Sequence, residues 1–257
     1  MRRILTLGRS FLAALAFHVL AVGLGFPIFY LVLWPLAVLF PSTRTHTAPP
    51  VSRLFCRTAL FFIRLGGGRV DIRGRIPAEQ PCYILMNHQS VLDIPVAILA
   101  ARPRLPAFVT RRRYARGIPV VSPSLRIVRW PVIEPEGDPA EAFKTMAGAV
   151  RLHPALLLFP ESHRTRDGEI GPFFPAGLWF LLKTERRPVY LIVIDGFRAC
   201  SHWRNLFTSV SGISAEADVL GPWIPPVQDR WPEFIEGLRQ AMIVRLDEMR
   251  KARGSGR

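Results

Sequence analysis

Hydrophobic and polar positions follow two different patterns along this chain. Residues 10–40 contain no Asp, Glu, Lys or Arg, and the nearest arginines on either side are Arg9 and Arg44. From residue 69 onward, short apolar runs alternate with segments of helical periodicity. The first pattern is typical of a membrane segment, and the second predicts strands that alternate with helices.

The apolar segment is longer than the roughly 20 residues that span a bilayer, and Gly23 and Pro27 lie near its middle. One tilted helix with a kink would fit, and so would a hairpin of two short helices that enters and leaves one leaflet. The flanking arginines favour the hairpin, because positively charged flanks stay on the cytoplasmic side. The segment is too long for a cleaved signal peptide, so we expect it to be retained. We assign residues 1–45 to a membrane anchor and residues 46–257 to one domain.

The remainder of the chain predicts an α/β fold in which a mixed sheet is flanked by helices. Short apolar runs predict strands at 70–72, 82–86, 107–109, 131–133, 155–159 and 189–194. Periodic segments predict helices at 94–101, 139–152, 176–183 and 231–251. A basic amphipathic helix is also expected over 51–65, either on a membrane surface or packed on the domain with its arginines facing water.

Composition narrows the classes of function. The chain has a formal net charge of +15, and such a surface attracts nucleic acid, anionic lipid headgroups or phosphorylated substrates. No nucleic-acid-binding motif is present, and the apolar N-terminal segment favours lipid. The three cysteines form no CxxC pair, which argues against a disulfide framework or a cysteine zinc site. We expect the domain to face a reducing cytoplasm and to bind no nucleic acid.

Polar residues follow the strand predicted at 82–86. Asn87 and His88 come directly after it, and Asp93 follows His88 after four intervening residues. Ligands of open α/β sheets collect at the carboxyl ends of strands. A carboxylate bonded to one imidazole nitrogen would leave the other nitrogen as a base toward a substrate hydroxyl. The alternative is that Ser90 and Asp93 only cap the following helix.

A second polar turn follows the strand predicted at 155–159. It carries Glu161, Arg164 and Arg166, and Asp167-Gly168 closes it. Arginine is well suited to grip a phosphate by paired hydrogen bonds, and Glu161 could orient such an arginine. A solvated surface turn is the alternative, but it does not account for Pro-Glu directly after an apolar strand.

Together the two turns resemble the 1-acylglycerol-3-phosphate acyltransferase family. An Asn-His-x4-Asp sequence ends at Asp93 and a Phe-Pro-Glu-x2-Arg sequence ends at Arg164, and the family motifs are Asn-His-x4-Asp and Phe-Pro-Glu-Gly-Thr-Arg. Two motifs in this order and spacing are more specific than either alone. The resemblance covers about residues 70–194, and it implies that the domain is an acyltransferase domain of the glycerolipid type.

The resemblance also implies roles for individual residues. His88 would be the general base, Asp93 would orient it, and Glu161 and Arg164 would hold the phosphate of the acceptor. The substrate-binding residues expected on this basis are Asn87, Glu161, Ser162, Arg164 and Arg166. No metal, no resident cofactor and no covalent acyl-enzyme are implied. The acyl donor would be acyl-coenzyme A or acyl carrier protein, and the arginines of residues 111–116 would attract either.

The chain departs from the family pattern in places that concern the acceptor. Residues 130–135 lack the Arg expected at the end of a third motif, and Arg126 or Arg129 could substitute for it. Ser162 and His163 replace the family's Gly-Thr. The expected reaction is acylation of 1-acyl-sn-glycerol-3-phosphate to phosphatidic acid at the inner (cytoplasmic) membrane, with the catalytic domain facing the cytoplasm.

Other functions stay open at this point. The acceptor could be another lysolipid, either a lyso-amino-acid lipid or a lysophospholipid in a remodelling reaction. The chain could also be a basic membrane protein that binds lipid without catalysis, which would tolerate the loss of His88. A serine hydrolase would depend on Ser162, although no Gly-x-Ser-x-Gly sequence surrounds that residue.

Overall fold

The computed structural model describes residues 2–118, 120–134, 136–165 and 167–255. The strands are β1 Arg69–Arg73, β2 Cys82–Met86, β3 Ala107–Phe108, β4 Thr110–Arg111, β5 Val132–Ile133, β6 Ala155–Leu158, β7 Val189–Asp195 and β8 Ser214–Trp223. The α-helices are α1 Arg2–Leu20, α2 Trp34–Leu39, α3 Thr43–His46, α4 Ala48–Leu65, α5 Asp93–Ala100, α6 Val121–Ile127, α7 Pro139–Leu152, α8 Ala176–Thr184, α9 Leu206–Ser209 and α10 Trp231–Ser255.

Six strands form one mixed sheet in the order β1-β8-β7-β2-β6-β3. Strands β8 and β7 are antiparallel, and the other neighbours are parallel. A separate parallel pair joins β4 to β5. The centrally placed β2 is buried at every residue, because it has strands on both sides and helices on both faces. The expected mixed α/β sheet is confirmed.

Side chains that alternate along the strands build one core on each face of the sheet. Ile84 points into a core that includes the buried side chains of α4 and α5. Leu85 points into the opposite core, which α7, α8 and α10 cover. This alternation follows from the two-residue repeat of a strand. The carboxyl ends of the parallel strands β2 and β6 therefore lie at one edge, between two helical layers.

The N-terminal apolar segment forms one continuous helix. Two π-helical stretches, Ala21–Gly25 and Ile28–Leu33, connect α1 to α2, and Pro27 has helical dihedral angles between them. The hairpin of two short helices is therefore wrong, because the glycines lie in a π-helical stretch and Pro27 keeps helical dihedral angles, so the chain does not reverse. Over the described residues, Ile4–Leu39 is the one helix whose length and composition would allow it to cross a membrane.

This long helix lies along the domain. The Oγ atom of Ser10 accepts a hydrogen bond from the main-chain N–H of Ser211 at 2.9 Å, and Phe29 packs in a cluster with Val120 and Ile127. The helix α4 packs beside it and against α5. The expectation that α4 packs on the domain is confirmed for its buried face, which includes Cys56, whereas Leu54 and Phe61 stay exposed.

Several elements were not predicted from the sequence, namely β4, β8, α3, α6 and α9. Strand β8 carries charged residues and has a Gly-Pro pair just before its last residue, features that disfavour strands. It forms because its charges are paired: Asp218 bonds Arg245 at 2.8 Å and Glu216 bonds Arg73 at 3.1 Å. The short helix α6 was also missed, since its sequence shows little apolar periodicity.

Candidate active site

The two polar turns meet at the carboxyl ends of β2 and β6. We call residues 87–93 the His88 turn and residues 159–165 the Glu161 turn. The strands that deliver them are paired in parallel, with Tyr83 opposite Leu156, so the residues that follow leave the sheet side by side. The N–H of Thr165 donates to the carbonyl oxygen of His88 at 2.8 Å. The two segments are therefore joined by a main-chain hydrogen bond.

His88 and Asp93 form a hydrogen-bonded pair. Nδ1 of His88 lies 2.7 Å from Oδ2 of Asp93, and a carboxylate can only accept, so Nδ1 carries the hydrogen. The same Oδ2 atom accepts the main-chain N–H groups of Gln89 at 2.7 Å and Ser90 at 2.8 Å. Asp93 is fully buried, whereas 16% of the His88 side chain is exposed. This arrangement leaves Nε2 as the nitrogen that can accept a proton from a bound molecule.

Asp93 does not cap the helix that it begins. It is the first residue of α5, and its carboxylate turns back to bond two N–H groups that precede the helix. Those bonds close the His88 turn and fix the acceptor oxygen for the imidazole. The turn and the His88–Asp93 contact are thus one structure, and the alternative that Ser90 and Asp93 only cap the helix is wrong, because no side chain caps it.

Phe159 packs flat against the imidazole of His88. The ring centroids are 4.0 Å apart and the ring planes differ by 21°. Phe159 is the first residue of the Glu161 turn, so the second motif supplies an apolar wall for the base of the first. Stacking on one face restricts rotation of the imidazole about its Cβ–Cγ bond.

The Glu161 carboxylate holds main-chain groups. Oε1 accepts the N–H of His88 at 3.2 Å, and Oε2 accepts the N–H of Gly171 at 3.0 Å. Burial raises the pKa of the Glu161 carboxyl above its usual value, and the hydrogen bonds from Gly171 and His88 partly offset this rise. With 2% of its surface exposed, Glu161 lies beneath the site and connects the two turns.

Arg164 bonds a different partner. Its Nη1 atom donates to the carbonyl oxygen of Ser201 at 2.7 Å, and its side chain is half-buried. The Glu161 oxygens are bonded to main-chain N–H groups, so the expectation that Glu161 orients an arginine is not what these contacts show. Arg166, which was expected to bind substrate, lies outside the described residues, as does Pro135 of the third motif.

Asn87 and Gln89 fasten the His88 turn to β7 and the loop after it. The Asn87 side chain exchanges two hydrogen bonds of 2.8 Å with the main chain of Ile194 and is 1% exposed. The Gln89 side chain accepts the N–H of Phe197 at 3.0 Å. Sequence reasoning gave Asn87 a substrate role and gave Gln89 none, because neither partner is near in sequence.

Ser162 and Arg111 form the exposed rim of the site. Ser162 has a φ of 60°, a conformation that favours glycine, and its side chain is exposed. Nη2 of Arg111 donates to the Ser162 carbonyl oxygen at 3.1 Å. The sequence placed Arg111 in a basic run for the acyl donor but did not predict its contact with the Glu161 turn.

Comparisons with known proteins bear on the whole of this arrangement. Residues 69–205, more than half of the chain, match the family model described as Acyltransferase. The chain is also similar to the crystal structure of the 1-acyl-sn-glycerophosphate (LPA) acyltransferase PlsC from Thermotoga maritima, with a TM-score of 0.68 and 18% sequence identity over 96% of this chain and 99% of that chain. At that identity the likeness establishes the fold. No curated protein sequence matches the chain.

Proposed function

We propose, from the premise that this chain belongs to the acyltransferase family, that it transfers a fatty acyl group from a thioester to the hydroxyl of a lysophospholipid. The observation that carries the proposal is the 2.7 Å contact between Nδ1 of His88 and a buried Asp93 oxygen that two N–H groups also bond. Such a pair presents the other imidazole nitrogen as a base.

In the proposed reaction, Nε2 of His88 accepts the proton of the acceptor hydroxyl as its oxygen attacks the thioester carbonyl. A new C–O bond forms, and the C–S bond breaks as the tetrahedral intermediate collapses. The proton passes from His88 to the departing sulfur, giving a free thiol and a diacylated lipid. Asp93 holds the imidazole in the required tautomer and stabilises its charged form during the transfer.

For the acceptor we propose 1-acyl-sn-glycerol-3-phosphate, whose product is phosphatidic acid. Two arginines at the rim support a phosphate-bearing acceptor. Arg164 and Arg111 each use one nitrogen to bond a main-chain carbonyl, and a guanidinium has five N–H donors. The related enzyme from Thermotoga maritima is described as an acyltransferase for the same class of acceptor. Because Ser162 adds a side chain at the rim, other lysolipids belong among the acceptors to be tested.

We further propose that the chain works at the inner face of the cytoplasmic membrane and takes its acyl group from acyl-coenzyme A or acyl carrier protein. One face of the N-terminal helix leaves large apolar side chains uncovered, such as Leu31 with 73% exposure. An apolar cleft between α1, α4 and α9 includes Leu92, the residue before Asp93. A lipid tail in this cleft would lie against the His88 turn, to which Leu92 belongs.

The test is acyl transfer from labelled acyl-coenzyme A and acyl carrier protein to a panel of lysolipids in membranes. We expect His88→Ala to lower the turnover of the preferred acceptor by about 10²- to 10⁴-fold, the usual contribution of a general base. His46→Ala is the matched control, because His46 is exposed and lies outside both turns.

The outcomes separate the candidate functions. Transfer that falls in His88→Ala and persists in His46→Ala, at equal protein level, supports the proposal and names the acceptor and donor. Transfer that survives in His88→Ala contradicts the role of this base. If the wild-type protein binds anionic lipid but transfers no acyl group from either donor, the result favours a lipid-binding protein. If activity is lost in Ser162→Ala and kept in His88→Ala, the result favours a hydrolase.

A further inference from the structure

Helix α10 sends three arginines toward the loops behind the site. Arg239, Arg250 and Arg253 all bond groups outside their own helix. The helix itself is seated on the sheet by buried apolar side chains, Leu238, Met242, Leu246 and Met249. The arginines therefore extend from a fixed base, and their ends define positions in the loops that they contact.

One set of contacts leads from Arg239 to the main chain of His88. Nε of Arg239 donates to the carbonyl oxygen of Gly171 at 2.8 Å. The N–H of Gly171 donates to Oε2 of Glu161 at 3.0 Å, and Oε1 of Glu161 accepts the N–H of His88 at 3.2 Å. Arg250 holds the same loop nearby, through the carbonyl oxygen of Gly168 at 2.7 Å.

A second set leads from Arg253 to Asp93. Nη1 of Arg253 lies 3.0 Å from Oδ2 of Asp195, and Nε of Arg250 lies 3.6 Å from the same oxygen. The other Asp195 oxygen accepts from Nε2 of Gln89 at 3.2 Å. Gln89 in turn donates its main-chain N–H to Oδ2 of Asp93 at 2.7 Å. The two sets thus reach both partners of the His88–Asp93 pair.

We infer that α10 orients the imidazole of His88, with Arg239 and Arg253 as positioning residues that act through Glu161 and Asp195. Partly exposed ion pairs contribute little to stability, and 25% of the Arg253 side chain is exposed. The two arginines act by fixing the position of His88. Such positioning matters because a displacement of about 1 Å at a reacting group can lower the rate about a hundredfold. The kinetic consequence rests on the proposed acyl transfer, whereas the orientation of His88 does not.

The kinetic test compares Arg239→Gln, Arg253→Gln and their combination with Arg245→Gln. Arg245 is the matched control, because it lies on the same helix and bonds the buried Asp218 at 2.8 Å, away from the His88 turn. We expect the double variant to lose about tenfold to a hundredfold in kcat with little change in the KM of either substrate. Arg253→Lys, which keeps the charge, should recover part of the loss.

The second measurement needs no activity. In protein with 15N-labelled histidine, the Nδ1 proton of His88 is assigned by its loss in His88→Ala. We expect this resonance to shift or broaden in the double variant and to stay unchanged in Arg245→Gln, at matched thermal stability.

An unchanged resonance, together with a kcat equal to that of Arg245→Gln, would overturn the inference. If the wild type transfers no acyl group, the proposed function fails and the resonance alone decides the role of α10.

Discussion

The His88 turn and the Glu161 turn lie side by side but differ in how many of their polar side chains are buried and hydrogen-bonded within the domain. In the His88 turn, the side chains of Asn87, Gln89 and Asp93 are buried and bonded within the domain. In the Glu161 turn, Glu161 and Thr165 are buried, whereas Ser162 and His163 between them are exposed.

This difference separates two tasks within one site. A turn whose buried side chains bond groups inside the fold can hold a base in one orientation, which proton transfer requires. The exposed Ser162 and His163 of the other turn, together with half-buried Arg164, can contact a headgroup and can vary without disturbing the base. We therefore expect substitutions in the first turn to act on turnover, and substitutions in the second to act on acceptor affinity or on stability.

Among the variants that test this difference between the turns, Asp93→Asn is expected to change the turnover most. The amide oxygen can take the place of Oδ2, the one oxygen that accepts from Nδ1 of His88 and from both turn N–H groups, so these bonds and the tautomer are kept. The negative charge that stabilises the protonated imidazole during proton transfer is lost. We expect kcat to fall by about 10²- to 10⁴-fold with a small change in acceptor KM, measured by the lysolipid assay.

Asp218→Asn serves as the control for that variant. Asp218 is also buried and bonded, to Arg245, but it lies on β8 and not in either turn. If the two variants lose kcat to the same extent, and if that loss follows their loss of thermal stability, Asp93 only supports the fold. The distinction between the two turns would then be wrong.

The sequence could predict the parts of the molecule whose determinants are local. Helix α7 has the predicted bounds, because Asp138 caps it through the N–H of Ala140 at 2.9 Å and Pro139 begins it. The contact between His88 and Asp93 was also predictable, since few residues separate a strand end from a helix start.

Features that depend on distant partners could not be predicted in this way. The role of Glu161 depends on Gly171, which a loop brings back to the site. The strand β8 depends on Arg245 from α10 to pair its buried Asp218. The N-terminal hairpin was wrongly favoured on account of the arginines that flank the apolar segment, whereas here Gly23 and Gly25 lie in a π-helical stretch and Pro27 continues the helix. Each of these outcomes is decided by packing between segments far apart in sequence.

Glu161→Gln is expected to have an intermediate effect, which includes a loss of protein stability. Glutamine has one acceptor oxygen for the two N–H groups of His88 and Gly171, so one buried donor loses its partner. Such a loss costs about 1–3 kcal/mol. The variant should unfold more easily than the wild type in urea titrations carried out in detergent.

The difference between wild type and Glu161→Gln should depend on pH. Because the folded pKa of Glu161 is raised by burial, folding favours its protonated form. Its contribution to the free energy of unfolding is fully present below the ordinary value of 4.5 and is lost as pH rises through the folded pKa. The advantage of the wild type should therefore shrink as pH rises above 4.5. An advantage that grows with pH would contradict the buried state of this carboxyl.

The smallest effect is expected from Ser162→Gly, which tests whether the second turn can change without harm to the first. A serine with a φ of 60° carries a conformational cost of roughly 1–2 kcal/mol, and glycine removes it while losing about 0.5–1 kcal/mol of chain entropy. We expect a gain between zero and about 1.5 kcal/mol in unfolding free energy and an unchanged kcat. Ser162→Ala keeps the strain and removes the hydroxyl, so a rise in acceptor KM in both variants would assign the hydroxyl to the headgroup. A loss of kcat in Ser162→Gly alone would mean that the left-handed serine, held by Arg111, also positions His88, and the two turns would then share one task.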